Sequence, residues 1–576
     1  MCGIFSYIGP RNDAAQIVLD GLKRLEYRGY DSWGIATVAQ KKITIKKKIG
    51  KIGSASVFDL PKANFALGHT RWATHGGVTE SNAHPHKDCS GNIVIIHNGI
   101  IENYEALKKS LIRKGHRFES QTDSEVFAHL IENNWNGAVS FSEAVRISFN
   151  QLEGLNAVIA INNRGDEFVA VRNGSPLVVG FGDQEYFLAS DPSALLIYTK
   201  NVFYLEDNQM AILNNRGVTI FDVKTNKKIL FKITKLNWEP GSAEKGKFVH
   251  FMLKEIFEQP SVMRTISNQA QSQLEKAAKL IKKSYGTYLV GCGTAFYACV
   301  AGSYLFSKIA RRHVNWCVGS EFGYQLDFLT DKSLIIALSQ SGETMDTLEA
   351  IKKSKARGAM VMSFVNVLGS TLYRESDYKI LLNAGPEKAV ASTKAFIAKL
   401  SYLLLLSFCL ADKLSEGQRV LEQTTKSVDE ILHRSSLKNI KKLASKLKKS
   451  KDIYVVGRGL SYPASLEVAL KIKEISYIHA EGLAAGELKH GTLALIEKNV
   501  PCLVFLPNDE TYGANLAGAM EMKARGGFII GVSFKNHEIF DYYIKASDCG
   551  VGSIIANVVV GQLLAYYLAL ALNRDP

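Results

Sequence analysis

No two of the eight cysteines in this 576-residue chain form a C-x-x-C pair; they are scattered from Cys2 to Cys549. That spacing argues against a structural zinc site and a disulfide framework, and it fits a reducing cytoplasm. The start, MCGIFSYIGP, has no basic leader followed by an apolar core, so no signal peptide is expected. Low-complexity tracts and nucleic-acid-binding motifs are absent. Long apolar runs are few. Leu400 to Ala411 is too short to span a bilayer. Ile554 to Leu572 is nearly long enough, but Asn557, Gly561 and Gln562 interrupt it and point to a buried helix. No membrane partner is expected.

What is present reads as a globular protein, with 46% apolar and 22% charged residues. The length exceeds what one hydrophobic core supports, so several domains are expected. The formal charge of +15 admits nucleic acid, an anionic membrane or anionic small molecules as partners. The densest basic run, Lys441 to Lys451, sets Leu443, Ala444 and Leu447 at helical spacing. It reads as the solvated face of an amphipathic helix, not as a nucleic-acid patch.

Residues 1–238 are rich in strand-like runs, including Ile93 to His97, Ala157 to Ile161 and Phe168 to Val171. Gly, Asn and Asp punctuate them, which predicts a β-rich α+β layer structure. Residues 239–247 are small and polar, as in a linker. Beyond them, apolar strands alternate with longer helical patterns, the signature of parallel α/β units. An internal repeat lies there: Tyr288-Leu-Val-Gly-Cys-Gly293 recurs as Tyr454-Val-Val-Gly-Arg-Gly459, and Lys355-Ala-Arg-Gly358 as Lys523-Ala-Arg-Gly526. Two matches in the same order indicate a duplicated domain of about 130 residues. The expected copies span 248–412 and 445–567, with a short remnant at 568–576. Only the first keeps a hydroxyl run with a glycine, Ser339-Gln-Ser-Gly-Glu-Thr344. The second has Pro507-Asn-Asp-Glu-Thr511, so the phosphate site is expected in the first copy.

Cys2 is a candidate nucleophile. Removal of Met1 would leave a free α-amine beside the thiol, and its pKa near 8 suits it as general base. An inert buried cysteine is the competing reading. Gly291-Cys-Gly-Thr294, between a strand and a helix, could offer free N–H groups to a phosphate, although such glycines often mark only a tight turn. Ser339 to Thr344 also follows a strand, where ligands of open α/β sheets gather. His84-Pro-His86 has no convincing ligand spacing and reads as a loop, and no metal is expected. Lys471 and Glu474 could be a simple i,i+3 ion pair on a helix.

Four motifs tip the balance at Cys2. These are Arg24-Leu-Glu-Tyr-Arg-Gly-Tyr-Asp31, Gly68-His-Thr-Arg-Trp-Ala-Thr-His-Gly76, His97-Asn-Gly-Ile-Ile-Glu-Asn103 and Ser120-Gln-Thr-Asp-Ser124. Together they resemble the N-terminal-nucleophile (Ntn) glutamine amidotransferases of the sugar-phosphate branch. The glycine and hydroxyl loops resemble the sugar isomerase (SIS) domain. With Val390-Ala-Ser-Thr-Lys-Ala-Phe396, Lys471-Ile-Lys-Glu-Ile-Ser-Tyr-Ile-His-Ala-Glu481 and Gly486-Glu-Leu-Lys-His-Gly491, the chain is similar to the isomerising glutamine–fructose-6-phosphate aminotransferase family.

The resemblance implies an αββα glutaminase domain followed by two SIS domains. Cys2 would attack the glutamine amide, with Asn98 and Gly99 holding the oxyanion. Arg71 would pair with the substrate carboxylate and Asp123 with its ammonium. Thr74, His75 and Gly76 would line the pocket, and Trp72 would border the exit for ammonia. Thr294, Ser339, Gln340, Ser341 and Thr344 would hold the sugar phosphate beside Cys292 and Gly293, while Val390 and Ser392 would touch the sugar. Glu474 would move a proton between C1 and C2, Lys471 would support the sugar oxygens, and His490 would assist ring opening from a neighbouring subunit. That last role implies a homodimer through the SIS half.

The implied reaction turns glutamine and fructose 6-phosphate into glutamate and glucosamine 6-phosphate, an entry to amino-sugar synthesis, with no cofactor. Ser6, Trp33 and Ala295 depart from the family pattern. No residue matches the family's C-terminal tail lysine, which forms a Schiff base with the open ketose; the sequence stops at Asn573-Arg-Asp-Pro576. A glutaminase with impaired synthase activity, or an SIS-type sugar-phosphate-binding regulator, therefore stand as alternatives.

Overall fold

The computed structural model describes residues 2–135, 137–236, 238 and 244–576. Met1 and the first part of the expected linker, 239–243, lie outside the described residues. The chain divides into two compact units, Met1–Ala243 and Glu244–Pro576.

The first unit stacks two antiparallel sheets. One has eight strands, and Gly3–Ile8 sits inside it between Tyr186–Ala189 and Phe65–Arg71. The other has seven, with Ile93–Gly99 beside Asn156–Asn162. Alternating side chains explain the layering, because successive residues of a strand face opposite sides. Ile4 and Ile8 meet Val94, Ile96, Ile159 and Phe168 between the sheets. Phe5 and Tyr7 face outward, against the helix Ala14–Leu25 through Ile17, Leu19 and Leu22. Ile93 and Ile95 face the opposite outer layer, formed by the helices Glu125–Asn134 and Phe141–Phe149. The inner strands, such as Asn156–Asn162, are thus covered on both faces, which is why they read as near-continuous apolar runs. The layers are αββα, as expected.

The second unit holds two five-stranded parallel sheets built alike. One runs in the order Asn315–Val318, Thr287–Gly291, Leu334–Ser339, Met360–Val365, Tyr378–Leu381. The other runs His479–Ala484, Asp452–Gly457, Pro501–Leu506, Phe528–Ser533, Tyr542–Lys545. The repeated Lys-Ala-Arg-Gly tetrapeptides close corresponding helices, Met345–Ala356 and Tyr512–Ala524, each with its Lys-Ala in the last turn. The two copies meet where the helix Thr294–Ala310 of the first packs on Ser461–Ser476 of the second.

The apolar runs are core helices. Every residue of Lys394–Leu410 is buried. Ser553–Ala571 is long and apolar enough to cross a membrane by length and composition, yet it packs against Ser461–Ser476 inside the unit. The basic run behaves as its spacing predicts up to Leu447, with Leu443, Ala444 and Leu447 buried on the helix Arg434–Leu447. Lys448 to Lys451 lie beyond the end of that helix.

Candidate active sites

Cys2 stands immediately before the strand Gly3–Ile8, at its carboxyl-side neighbour's end: Gly3 pairs with Thr70, next to Arg71 at the close of Phe65–Arg71. The Gly3 N–H also donates to Thr70 Oγ1 at 3.1 Å, which fixes the direction of the chain at the thiol. Cys2 Sγ accepts the Trp72 N–H at 3.2 Å. Burial pushes the thiol pKa up, opposed by that N–H and by the nearby Arg71. A neutral thiol that needs a base to lose its proton is the resting form these groups favour.

Asn98 reaches the same place from the other sheet. Its Nδ2 donates to the Cys2 carbonyl at 3.0 Å. His69 Nε2 lies 3.0 Å from both Asn98 Oδ1 and the His97 carbonyl. Two acceptors fix the proton on Nε2, and this bond turns the amide so that its NH2 faces Cys2. Burial lowers the His69 pKa to about 3, so the ring is neutral. Its other face stacks on His84 at 4.1 Å, and His84 in turn meets His86 at 4.5 Å. His84 lies in a loop, as the sequence suggested, and His86 opens the short strand His86–Lys87; both are buried. Gly99 has φ +140° and lies so close to Leu155 that a Cβ would come within 2.1 Å of the Leu155 carbonyl oxygen. Only glycine leaves the backbone beside Asn98 free there.

The residues expected around glutamine form a loop-rich rim. Arg71 is buried, and its guanidinium donates to the His75, Gly76 and Gly77 carbonyls at 2.5, 3.0 and 3.0 Å. Those bonds curl residues 74–77 into a turn, so Thr74, His75 and Gly76 come to one side of Arg71. His75 stands edge-on to Tyr104 at 4.7 Å, and Trp72 edge-on to Tyr30 at 5.2 Å with 41% of its surface exposed. Asp123 is buried just before the helix Glu125–Asn134, with Oδ2 accepting the Ile101 N–H at 2.8 Å. Sequence reasoning missed Asp31 and Asn82. Asp31 Oδ2 accepts the Ala73 N–H at 2.8 Å, and Asn82 joins Gly77 to Gln121 through bonds of 3.0 and 2.8 Å. Asp31 and His69 lie inside the motifs Arg24–Asp31 and Gly68–Gly76, whereas Asn82 lies outside every motif.

Of the departures, Trp33 is buried in the core under the first sheet, and Ser6 lies buried in the strand after Cys2 with an unpaired hydroxyl.

In the second unit, the helix Thr294–Ala310 begins right after Cys292 and Gly293, and Gly293 has φ +54°. Thr294 Oγ1 accepts from Lys471 Nζ at 2.9 Å and donates to Glu467 Oε1 at 3.3 Å. Lys471 also contacts Glu467 at 3.5 Å and forms a very short bond to Glu474. These three residues share one face of Ser461–Ser476 at i, i+4 and i+7, as helical geometry requires. Lys471 and Glu467 are fully buried, whereas Glu474 keeps a third of its side chain exposed. Burial would lower the Lys471 pKa, but the two carboxylates outweigh it and the net direction is up. Burial raises Glu467 to about 7, against the pull of Lys471. Glu467 is the main residue sequence reasoning missed, because a buried glutamate on a helix has no local signature.

The hydroxyl loop is tied to itself. Ser339 Oγ accepts the Gly342 N–H at 3.0 Å and lies 3.2 Å from Thr344 Oγ1, while Ser341 Oγ accepts the Glu343 N–H at 3.1 Å. Gly342 has φ +69°, and a Cβ there would fall 2.0 Å from Ser370 Oγ. Gln340 and Ser341 are half-buried at the carboxyl end of the strand Leu334–Ser339. Cys292 Sγ lies 3.5 Å from Thr347 Oγ1. Ala295 is buried in the first turn of its helix. Ser392 donates to Glu387 at 2.8 Å, and Val390 is exposed. His490 ends the short helix Ala485–His490 and is exposed; it is not drawn into the Thr294–Lys471–Glu474 cluster. Lys394 is buried and paired with Glu258 at 2.7 Å.

Residues 69–197 match the glutamine amidotransferase domain family, and residues 279–407 and 446–570 match the SIS domain family. The whole chain aligns at 43% identity with 98% of a glutamine–fructose-6-phosphate aminotransferase [isomerizing] of Pyrococcus horikoshii. The chain belongs to the isomerising glutamine–fructose-6-phosphate aminotransferase family. A Thermus thermophilus member is 40% identical, again over the whole chain and 98% of the relative. The C-terminal domain of a glucosamine-fructose-6-phosphate aminotransferase from Francisella tularensis superposes with a TM-score of 0.54 and 34% identity, covering 58% of this chain and 99% of that one. In this family the enzyme joins a glutaminase-type unit to a duplicated SIS unit, and both are folded here.

Proposed function

We propose that this protein transfers the amide nitrogen of glutamine to fructose 6-phosphate and yields glucosamine 6-phosphate and glutamate. The observation that carries the reading is the full-length similarity to relatives of that name, 43% over 588 aligned positions and spanning both units. It favours a complete synthase over a glutaminase with impaired synthase activity and over a sugar-phosphate-binding regulator. We assign the glutaminase step to residues 1–238 and the sugar chemistry to 248–412 and 445–567.

In the glutaminase step, Cys2 Sγ attacks the amide carbon of glutamine. The Asn98 amide, already turned toward Cys2 by His69, and the Gly99 N–H receive the charge on the amide oxygen. The C–N bond breaks, the leaving NH2 group takes up the proton given up by the Cys2 thiol and departs as ammonia, and water then releases glutamate from the thioester and restores the thiol. Arg71 offers a planar fork to the substrate carboxylate and Asp123 a carboxylate to its ammonium. Thr74, His75, Gly76 and Trp72 form the rim.

In the sugar step, Ser339, Gln340, Ser341 and Thr344 hold the phosphate together with Thr294, Cys292 and Gly293, while Val390 and Ser392 touch the sugar. Glu474, the partly exposed carboxylate of the buried trio, carries a proton between C1 and C2. Lys471 holds the developing oxyanion side of that transfer. The exposure of His490 supports a role at the site of a second copy, in a homodimer formed through the SIS half. Eight unpaired cysteines support a cytoplasmic location.

The test uses amide-labelled glutamine. The label should appear in the amino sugar with the parent protein, and Cys2→Ala should abolish it. Undiminished transfer by Cys2→Ala would overturn the nucleophile assignment.

A further inference from the structure

Four side chains with no part in either site converge on the outer helical layer of the first unit. Cys89 lies in the turn after the strand His86–Lys87, and His116 follows the helix Tyr104–Arg113. His129 and Glu132 stand at i,i+3 on the helix Glu125–Asn134. One donor atom from each lies within 4.8 Å of every other. We propose that Cys89, His116, His129 and Glu132 form a four-coordinate structural zinc site.

Two of the donor separations match the edges of a tetrahedron around a metal, and two more lie within about 0.4 Å of them. Zinc binds sulfur at about 2.3 Å and nitrogen or carboxylate oxygen at about 2.0–2.2 Å, so tetrahedral edges should be about 3.3–3.6 Å. Cys89 Sγ is 3.4 Å from His129 Nδ1 and 3.7 Å from His116 Nδ1. Glu132 Oε2 is 3.3 Å from His129 Nδ1 and 2.9 Å from His116 Nδ1. Thiolate, imidazole and carboxylate together are a donor set that suits zinc. One thiolate and one carboxylate also balance its two charges. Binding releases the Cys89 thiol proton to solvent, and no electron moves.

The surroundings have the form expected of outer partners of a metal site. A ligating histidine usually gives its second nitrogen to a carboxylate. His129, 1% exposed, turns Nδ1 to the cluster and points Nε2 toward Glu125 Oε1, 3.5 Å away, near a carboxylate but without a hydrogen bond to it. Cys89 Sγ accepts the Arg117 N–H at 3.3 Å, and Glu132 Oε2 accepts the Cys89 N–H at 3.2 Å. Cys89 is exposed, which gives the ion a way in. With four protein ligands no position is left for water or substrate, so the site holds structure. His116 and Glu125–Glu132 bracket residues 120–124, which carry Asp123. A metal there would anchor both ends of that substrate loop.

The test is metal analysis of the full-length, reduced protein. One zinc per chain is expected. After chelation, cobalt(II) should produce a thiolate charge-transfer absorption that Cys89→Ser removes, and His129→Gln should lose the metal. Because His129 is buried and its variant could misfold, the exposed Cys89 substitution keeps the test decisive, with circular dichroism confirming the fold. A parent protein that contains no zinc and, once reduced, takes up neither zinc nor cobalt would overturn the proposal. So would a cobalt spectrum unchanged in Cys89→Ser.

Discussion

His69 spends its one proton on two acceptors, the His97 carbonyl and Asn98 Oδ1, and thereby decides which end of the Asn98 amide faces Cys2. In the proposed role, the Asn98 amide already turns its NH2 toward Cys2 before substrate arrives, so its direction need not change as charge develops. Asn98→Ala should therefore lower the glutaminase kcat about 100–1000-fold with a smaller change in KM, measured by steady-state glutamate release. In the second unit, Glu467 stays protonated up to about pH 7, against about 4.5 in an ordinary setting. Folding then takes up a proton at Glu467 between those values, so this group's contribution to stability should fall as pH rises from about 4.5 to about 7. Lys471, protonated in both states over that range, adds no slope. Glu467→Gln should flatten this part of the profile in denaturant titrations at successive pH values; an unchanged slope would count against the assignment.

At the scale of elements, the helix Ser461–Ser476 is held by its neighbour Ser553–Ala571. At Gly561 the two helices lie so close that a Cβ would fall 2.1 Å from Val468 Cγ2. The helix that would be displaced carries Glu467, Lys471 and Glu474. Gly561→Val should overpack this contact and cost about 1–3 kcal/mol. It should also lower amino-sugar formation while glutamine hydrolysis without sugar is retained, which separate assays of the two half-reactions would show. The opposite pattern, with hydrolysis lost and synthesis kept, would contradict the division of labour between the units.

For the whole molecule, the two units have separate hydrophobic cores. Calorimetry should show two unfolding transitions. A glutamine analogue that reacts with Cys2 should raise one midpoint, and fructose 6-phosphate should raise the other, since a ligand stabilises only the state that binds it. A single transition moved equally by both would refute independent units.

The strands of both units, the duplicated α/β half and the motifs around Cys2 were legible in the sequence, because periodicity, glycine turns and contiguous motifs are local. The buried course of Ser553–Ala571 was legible too, from the polar residues within its apolar run. What the sequence could not supply were pairings between distant segments, since no spacing rule links them. Glu467 reaches Thr294 only because two helices from different copies pack together. His84 becomes part of the support behind Asn98 only by stacking on His69, and His86 by standing edge-on to His84. The absence of C-x-x-C argued against a structural zinc site, yet Cys89, His116, His129 and Glu132 converge from three segments in space. The sequence by itself determined the family and the plan of a glutaminase-type unit followed by a duplicated SIS unit, and it offered Cys2 as the nucleophile proposed above, because these readings reside in contiguous residues. The tertiary structure alone decided which buried charges face one another, because that depends on how helices and loops far apart in the chain are brought into contact.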